Sequence, residues 1–127
     1  MLGERFLLLT HTGRKSGLSR GAVLEVVAHD REKDIYYVAR GFGETTDWFL
    51  NIQKTPHVRI RTGHRSFDAL AMVLPAKYGE QILRDYARRH PGAWRALSRV
   101  MGYRTKVGAE DFHTISQSPP IVAFNRA

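Results

Sequence analysis

A chain of 127 residues with 20 Lys and Arg against 12 Asp and Glu has room for one domain with a proper core, and its net charge of +8 points to an anionic partner. The absence of cysteine excludes a disulfide framework, a thiolate nucleophile and a cysteine metal site, and agrees with a cytoplasmic location. The hydrophobic content of 43% comes in short runs, none reaching the roughly 18 residues that a membrane-spanning helix needs, so a single soluble domain over residues 1–127 is expected.

The chain opens on "MLGERFLLLT". Its apolar run follows an acidic and a basic residue and precedes no small-residue cleavage site, so Phe6 to Thr10 reads as a strand rather than a secretion signal. Then comes "HTGRKSGLSRG", in which Gly13 and Gly17 bracket Arg14, Lys15 and Ser16, with Arg20 and Gly21 just beyond. On composition alone this is a solvated turn. It is also a good receptor for a phosphate, because it offers backbone N–H groups, a hydroxyl, a guanidinium and an ammonium, with glycines that let the backbone approach an anion.

Ala22 to Ala28, Ile35 to Ala39, Val58 to Arg61 and Phe67 to Leu74 are further strands, rich in β-branched and aromatic residues and separated by turns such as "HDREKD". Two segments read as helices. Thr46 to Lys54 is opened by a Thr-Thr-Asp cap signal and closed before Pro56; in Ala76 to Arg89, Ile82, Leu83, Tyr86 and Ala87 recur at helical spacing. Trp94 to Met101 is expected as a further short helix and "PPIVAFN" as a final strand. The strands read as a β-meander closed into an antiparallel barrel with α insertions, since closure removes exposed sheet edges.

The common catalytic signatures fail residue by residue. A Walker loop needs glycine directly before the lysine, and a nucleophile elbow needs glycine two positions before Ser16; Arg14 occupies both places. "GFGETT" lacks the third glycine of a dinucleotide fingerprint. The histidines at 11, 29, 57, 64, 90 and 113 show no ligand spacing and read as surface or packing residues, so no metal site is expected and no catalytic side chain is identified. If the chain is an enzyme, a cofactor carries the chemistry.

"LLLTHTGRKSGLSRGAVLEVV", followed by "YYVARGFGETTDWFLNIQKTPHVRIRTGHRSFDALAMVL", resembles the deazaflavin-dependent nitroreductase and quinone reductase family, whose members use coenzyme F-420 (8-hydroxy-5-deazaflavin). The matching blocks are Thr12 to Arg20, Ala39 to Gly43, and Trp48 to Val58. The resemblance implies a mainly β, flavin-reductase-like fold, the FMN-binding split barrel, with helices inserted. By matching position, Arg14, Lys15, Ser16, Gly17 and Arg20 would hold the phosphate or glutamate tail of the cofactor. Gly21, Ala22, Val23 and Leu24, with Ala39, Arg40 and Gly41, would line the groove, and Trp48 and Asn51 would close over it. Trp48 reads equally well as a core anchor, and Asn51 as a cap or a bridge between loops.

The implied reaction is hydride transfer from the reduced cofactor to a small-molecule electron acceptor such as a quinone, nitroaromatic or enone, by a homodimer. FMN is the rival cofactor. The chain departs from the family pattern in starting almost at the first strand, where relatives carry a helix, and in offering Phe112 and His113, with Tyr103 further back, where relatives place a tyrosine. Two other classes stay open. Nucleic-acid binding through Arg59, Arg61 and Arg65 is not expected, because Phe67 and Tyr37 lie in apolar runs; a peripheral membrane contact through Arg84, Arg88, Arg95 and Arg99 would need a helix face that "HPG" interrupts.

Overall fold

Strand β1, Phe6–Thr12, buries Leu7, Leu9 and His11 and turns the residues between them outward, the period of two expected of a strand with one face on a core. It belongs to a computed structural model that describes residues 5–40, 47–92, 94–95 and 120–127. The elements that follow are β2 (Ser19–Asp30), β3 (Ile35–Ala39), α1 (Asp47–Lys54), β4 (His57–Thr62), β5 (Arg65–Val73), α2 (Ala76–Arg89) and β6 (Ile121–Arg126). The six strands close a barrel in the order β1-β2-β3-β6-β5-β4, with every pairing antiparallel. This is the mainly β barrel with α insertions that the sequence predicts.

The simple meander needs correction. It holds over β1 to β3 and again over β4 to β6, but β3 pairs with β6 rather than with β4. The segment containing α1 carries the chain from β3 to β4, which pairs instead with β1. The first hairpin is also longer than the apolar runs imply. His11↔Arg20 and Thr12↔Ser19 extend the ladder through polar residues, so Arg20 and Gly21 lie in β2 rather than in the turn.

Leu7, Leu9, Tyr36, Val38, Ile60, Phe67, Val122 and Phe124 fill the barrel, and α1 closes one end of it with Trp48, Phe49 and Ile52. At the other end, His29 stacks on Tyr36 with centroids 3.8 Å apart. Beside that stack, Asp34 pairs with Arg65 at 2.5 Å and with His29 at 3.0 Å.

Helix α2 lies outside the barrel, packing Leu83 and Tyr86 on Val27 and Ile121. Val27 faces the helix by the alternation that turns Ala22, Leu24 and Val26 onto the barrel core, and a β-bulge between Val26 and Ala28 then shifts the phase, so that Ala28 stays on the helix side and His29 turns inward against Tyr36. The Tyr86 hydroxyl donates to the Glu25 carboxylate and pins the helix at the same place. Trp94 and Arg95 are helical as predicted; the rest of Trp94 to Met101, with Thr46, Tyr103, Phe112 and His113, falls outside the described residues. Among the described residues, no helix is long and apolar enough to cross a membrane.

Candidate functional site: a basic cleft between the first hairpin and helix α1

The turn joining β1 to β2 is compact because it bonds to itself. The Gly13 N–H donates to the Leu18 carbonyl at 2.8 Å, the Gly17 N–H to the Gly13 carbonyl at 2.9 Å, and the Leu18 N–H to Ser16 Oγ at 3.2 Å. Gly17 has φ +73°, a left-handed conformation that costs an ordinary residue energy. At Gly13 the constraint is space: a Cβ there would stand 2.6 Å from Ser16 Oγ.

Helix α1 ties this turn in place from outside. Asn51 Oδ1 accepts from both the Arg14 backbone N–H, at 3.0 Å, and the Arg14 guanidinium, at 2.9 Å. Asp47 Oδ1 accepts from the same guanidinium at 3.3 Å, and Lys54 Nζ donates to the Arg14 carbonyl at 2.8 Å. Asp47, Asn51 and Lys54 stand four and three residues apart, a spacing that puts them on one helix face. Arg14 is therefore a strut of the turn.

Below the strut lies His11, which is only 4% exposed. Because Asn51 Oδ1 already accepts from two donors, its Nδ2 faces His11 Nδ1, 3.0 Å away, and donates to it. The ring is thus neutral, with its proton on Nε2. Burial lowers its pKa from the ordinary 6.5, and Arg20 lowers it further, against a smaller opposing effect of Asp47.

Gly13, Arg14, Lys15, Ser16, Arg20, Asp47 and Asn51 line a cleft of about 300 Å³. Three cations face a single carboxylate there. Five of the sequence-predicted residues, Arg14, Lys15, Ser16, Arg20 and Asn51, therefore come together, and Gly17 shapes the turn beside them. The others lie apart from this cleft. Gly21 follows Arg20 in β2 opposite Thr10, Ala22 and Leu24 pack against the barrel core, and Val23 is 70% exposed. Ala39 packs into the cluster beneath α2, the Arg40 guanidinium lies 4.9 Å from the Phe49 ring centroid, and the Arg40 backbone N–H donates to the Pro120 carbonyl. Trp48, 7% exposed, is part of the core, and Gly41 falls outside the described residues.

The sequence reading passes over His11, Asp47 and Lys54 as parts of the site. A signal for two of them existed in the helical spacing of Asp47, Asn51 and Lys54. For His11 the signal was the alternation with Leu7 and Leu9, lost because the strand was read as ending at Thr10. Among the described residues, no group of three His, Asp or Glu could hold a metal ion. The chemistry of the cleft suits an anion. Lys15 and Arg20 supply charged donors, and the glycine at 13 leaves room for Ser16 to fold back where a Cβ would displace it.

Comparison with known proteins bears on the fold and the family. A solved structure described as an F420-H2 dependent reductase, FDR-A, is 19% identical over 98% of this chain and 97% of its own, with a TM-score of 0.66. A second, described as a domain-swapped dimer, is 20% identical over 98% of this chain and 82% of its own, also with a TM-score of 0.66. A third comes from Clostridium acetobutylicum, a protein related to general stress protein 26 and placed in the pyridoxinephosphate oxidase family. It is 8% identical over 96% of this chain and 75% of its own, with a TM-score of 0.58. At such identities the likeness is one of fold, the split barrel. No curated protein matches the chain. The family model for F420H(2)-dependent quinone reductase, however, matches residues 1–100, most of the chain. The chain belongs to that family and is an oxidoreductase whose cofactor is coenzyme F-420.

Proposed function

We propose that the chain reduces a quinone-type acceptor with reduced coenzyme F-420, and that the cleft between the first hairpin and α1 holds the cofactor's anionic tail. The observation that carries this reading is the convergence of Arg14, Lys15, Ser16 and Arg20 on one opening whose turn is braced by α1. When bound, the cofactor supplies the hydride. The residues of the chain bind and orient. Lys15 and Arg20 attract the tail and form charge-assisted hydrogen bonds to it, and Arg14, held by Asn51 and Asp47, keeps the turn open between them. Anchoring the tail limits the motion of the ring system attached to it. Alignment of donor and acceptor of this kind is worth about 7–11 kcal/mol in favourable intramolecular cases.

The same reading takes the working form as a homodimer. Leu8 and Val23, cross-strand partners on β1 and β2, turn apolar side chains outward at 38% and 70% exposure, a surface suited to cover by a second copy. One of the similar structures is described as a domain-swapped dimer.

A fluorescence titration tests the site. Tryptophan emission should be quenched by coenzyme F-420 at micromolar concentration or below, and FMN should bind more weakly. Replacing Lys15 and Arg20 together by alanine should weaken F-420 binding by about 2–4 kcal/mol, taking two charged hydrogen bonds and discounting for solvent. Unchanged affinity in that double variant would move the tail out of the cleft.

A further inference from the structure

The hydrogen bonds around the turn leave one matter to be decided, the direction in which the Asn51 amide points. Its two ends have nearly the same shape but opposite polarity. With Oδ1 toward Arg14, two donors are satisfied; with the NH₂ group there, donors would face donors. Among the described residues, the other end of the amide meets one partner, His11 Nδ1, at 3.0 Å. We propose that His11 is the positioning residue of the anion cleft: by accepting a hydrogen bond at Nδ1, its neutral ring orients Asn51, and Asn51 in turn fixes Arg14 and the turn that holds the cofactor's tail. This rests on the reading that the tail occupies the cleft.

Protonation reverses the arrangement. A ring with a proton on Nδ1 presents a donor to the Asn51 NH₂ group, so either that contact breaks or the amide turns over and withdraws its oxygen from Arg14. The charged groups near His11 are Arg20 on β2, Arg14 in the turn, and Asp47 and Lys54 on α1; continuing the β1–β4 register brings apolar Val58 alongside. Arg20 and burial disfavour the extra proton and Asp47 favours it, with the first two prevailing. The neutral form therefore holds at neutral pH, and the proton enters only on acidification below the ordinary histidine range.

The sign of the resulting pH dependence is unusual. An anion ordinarily binds a basic cleft more tightly as the protein gains protons. Here the proton gained at His11 dismantles the cleft, so affinity for the cofactor falls on acidification.

The test is F-420 binding by fluorescence from about pH 8 to about pH 5 for the native protein, His11→Asn and His11→Leu. His11→Leu removes the acceptor and should lose about tenfold or more in affinity at the upper pH. In His11→Asn an amide oxygen can accept near the position of Nδ1 without titrating, so this variant should restore binding to within about threefold of native. The ratio of native to His11→Asn affinity should then fall as the pH drops below the ordinary histidine range; any titration of the ligand itself is common to both proteins and cancels. Nitrogen NMR of the ring should show Nδ1 unprotonated at neutral pH. Three results would overturn the proposal: a constant affinity ratio across the pH range, a proton on Nδ1, or native affinity in His11→Leu. If His11→Leu does not fold, the affinity ratio and the tautomer decide. Loss of binding in the Lys15 and Arg20 double variant with no effect at His11 would leave the tail in the cleft and reject the role of His11. No effect in either would reject both.

Discussion

Gly13 and Gly17 stand four residues apart in one turn and are required for different reasons. Gly17 has no atom within 4 Å of the place a Cβ would take, but its φ of +73° is unfavourable for any residue that has one. Gly17→Ala should therefore cost about 1 kcal/mol of stability, a fall of roughly 3–6 °C in Tm, with Gly17→Asn costing less because asparagine tolerates the left-handed region. Gly13→Ala meets Ser16 Oγ at 2.6 Å and Arg20 Nε at 3.4 Å, two groups of the cleft, and should reduce F-420 affinity by about 1–2 kcal/mol through the hydrogen bonds it displaces. Measuring Tm and Kd on both variants separates the two causes. Equal effects of the two substitutions on both quantities would show that the turn responds only as a whole.

At the far end of the barrel, one residue joins three elements. Asp34, in the turn between β2 and β3 with φ 57°, meets Arg65 at the start of β5 and Arg126 near the end of β6, as well as His29 on β2. Hydrogen bonding from Arg65 above all, with His29 adding to it, holds its carboxyl well below the usual carboxylate range despite the opposing cost of burial. A carboxyl whose pKa is lowered by folding contributes stability that is present above its unfolded value and lost as the pH falls through the folded one. Asp34→Asn keeps the left-handed backbone tolerable and removes the charge. It should cost about 1–2 kcal/mol at neutral pH after allowance for solvent exposure, and should flatten the loss of stability below about pH 4. Tm measured against pH would test this, and parallel curves for the two proteins would reject it.

How much of these elements could be read in advance depended on the range of the interactions. Helix α2 has the predicted bounds Ala76–Arg89, because its pattern of Ile82, Leu83 and Tyr86 is local. The ends of β1 and β2 were hidden because His11, Thr12, Ser19 and Arg20 have no strand signature and are ordered by pairing with one another. That Lys15 and Arg20 belong to one basic cluster was legible from charge and glycine alone. The brace on Arg14 was not, since it depends on a contact with Asn51 across 37 positions.

For the molecule as a whole, the net charge of +8 is the excess of cations left after local pairs such as Arg59 with Asp68, Arg84 with Glu80 and Arg89 with Asp85 cancel. If the chain is a homodimer joined over Leu8 and Val23, light scattering should give twice the chain mass, and Val23→Lys combined with Leu8→Lys should shift it to monomer with F-420 binding preserved. A native monomer at high protein concentration would exclude the dimer. The closed ring also bears on how the protein is made. β6 enters between β3 and β5 and is the last barrel strand along the chain, whereas every residue of the cleft lies in the first half. A nascent chain carries the whole cleft before it can seal the barrel, and until β6 arrives, β3 and β5 each present an unpaired edge to other chains. A stop codon before Ile121 would thus release a species that holds every side chain lining the cleft yet associates through its open edges.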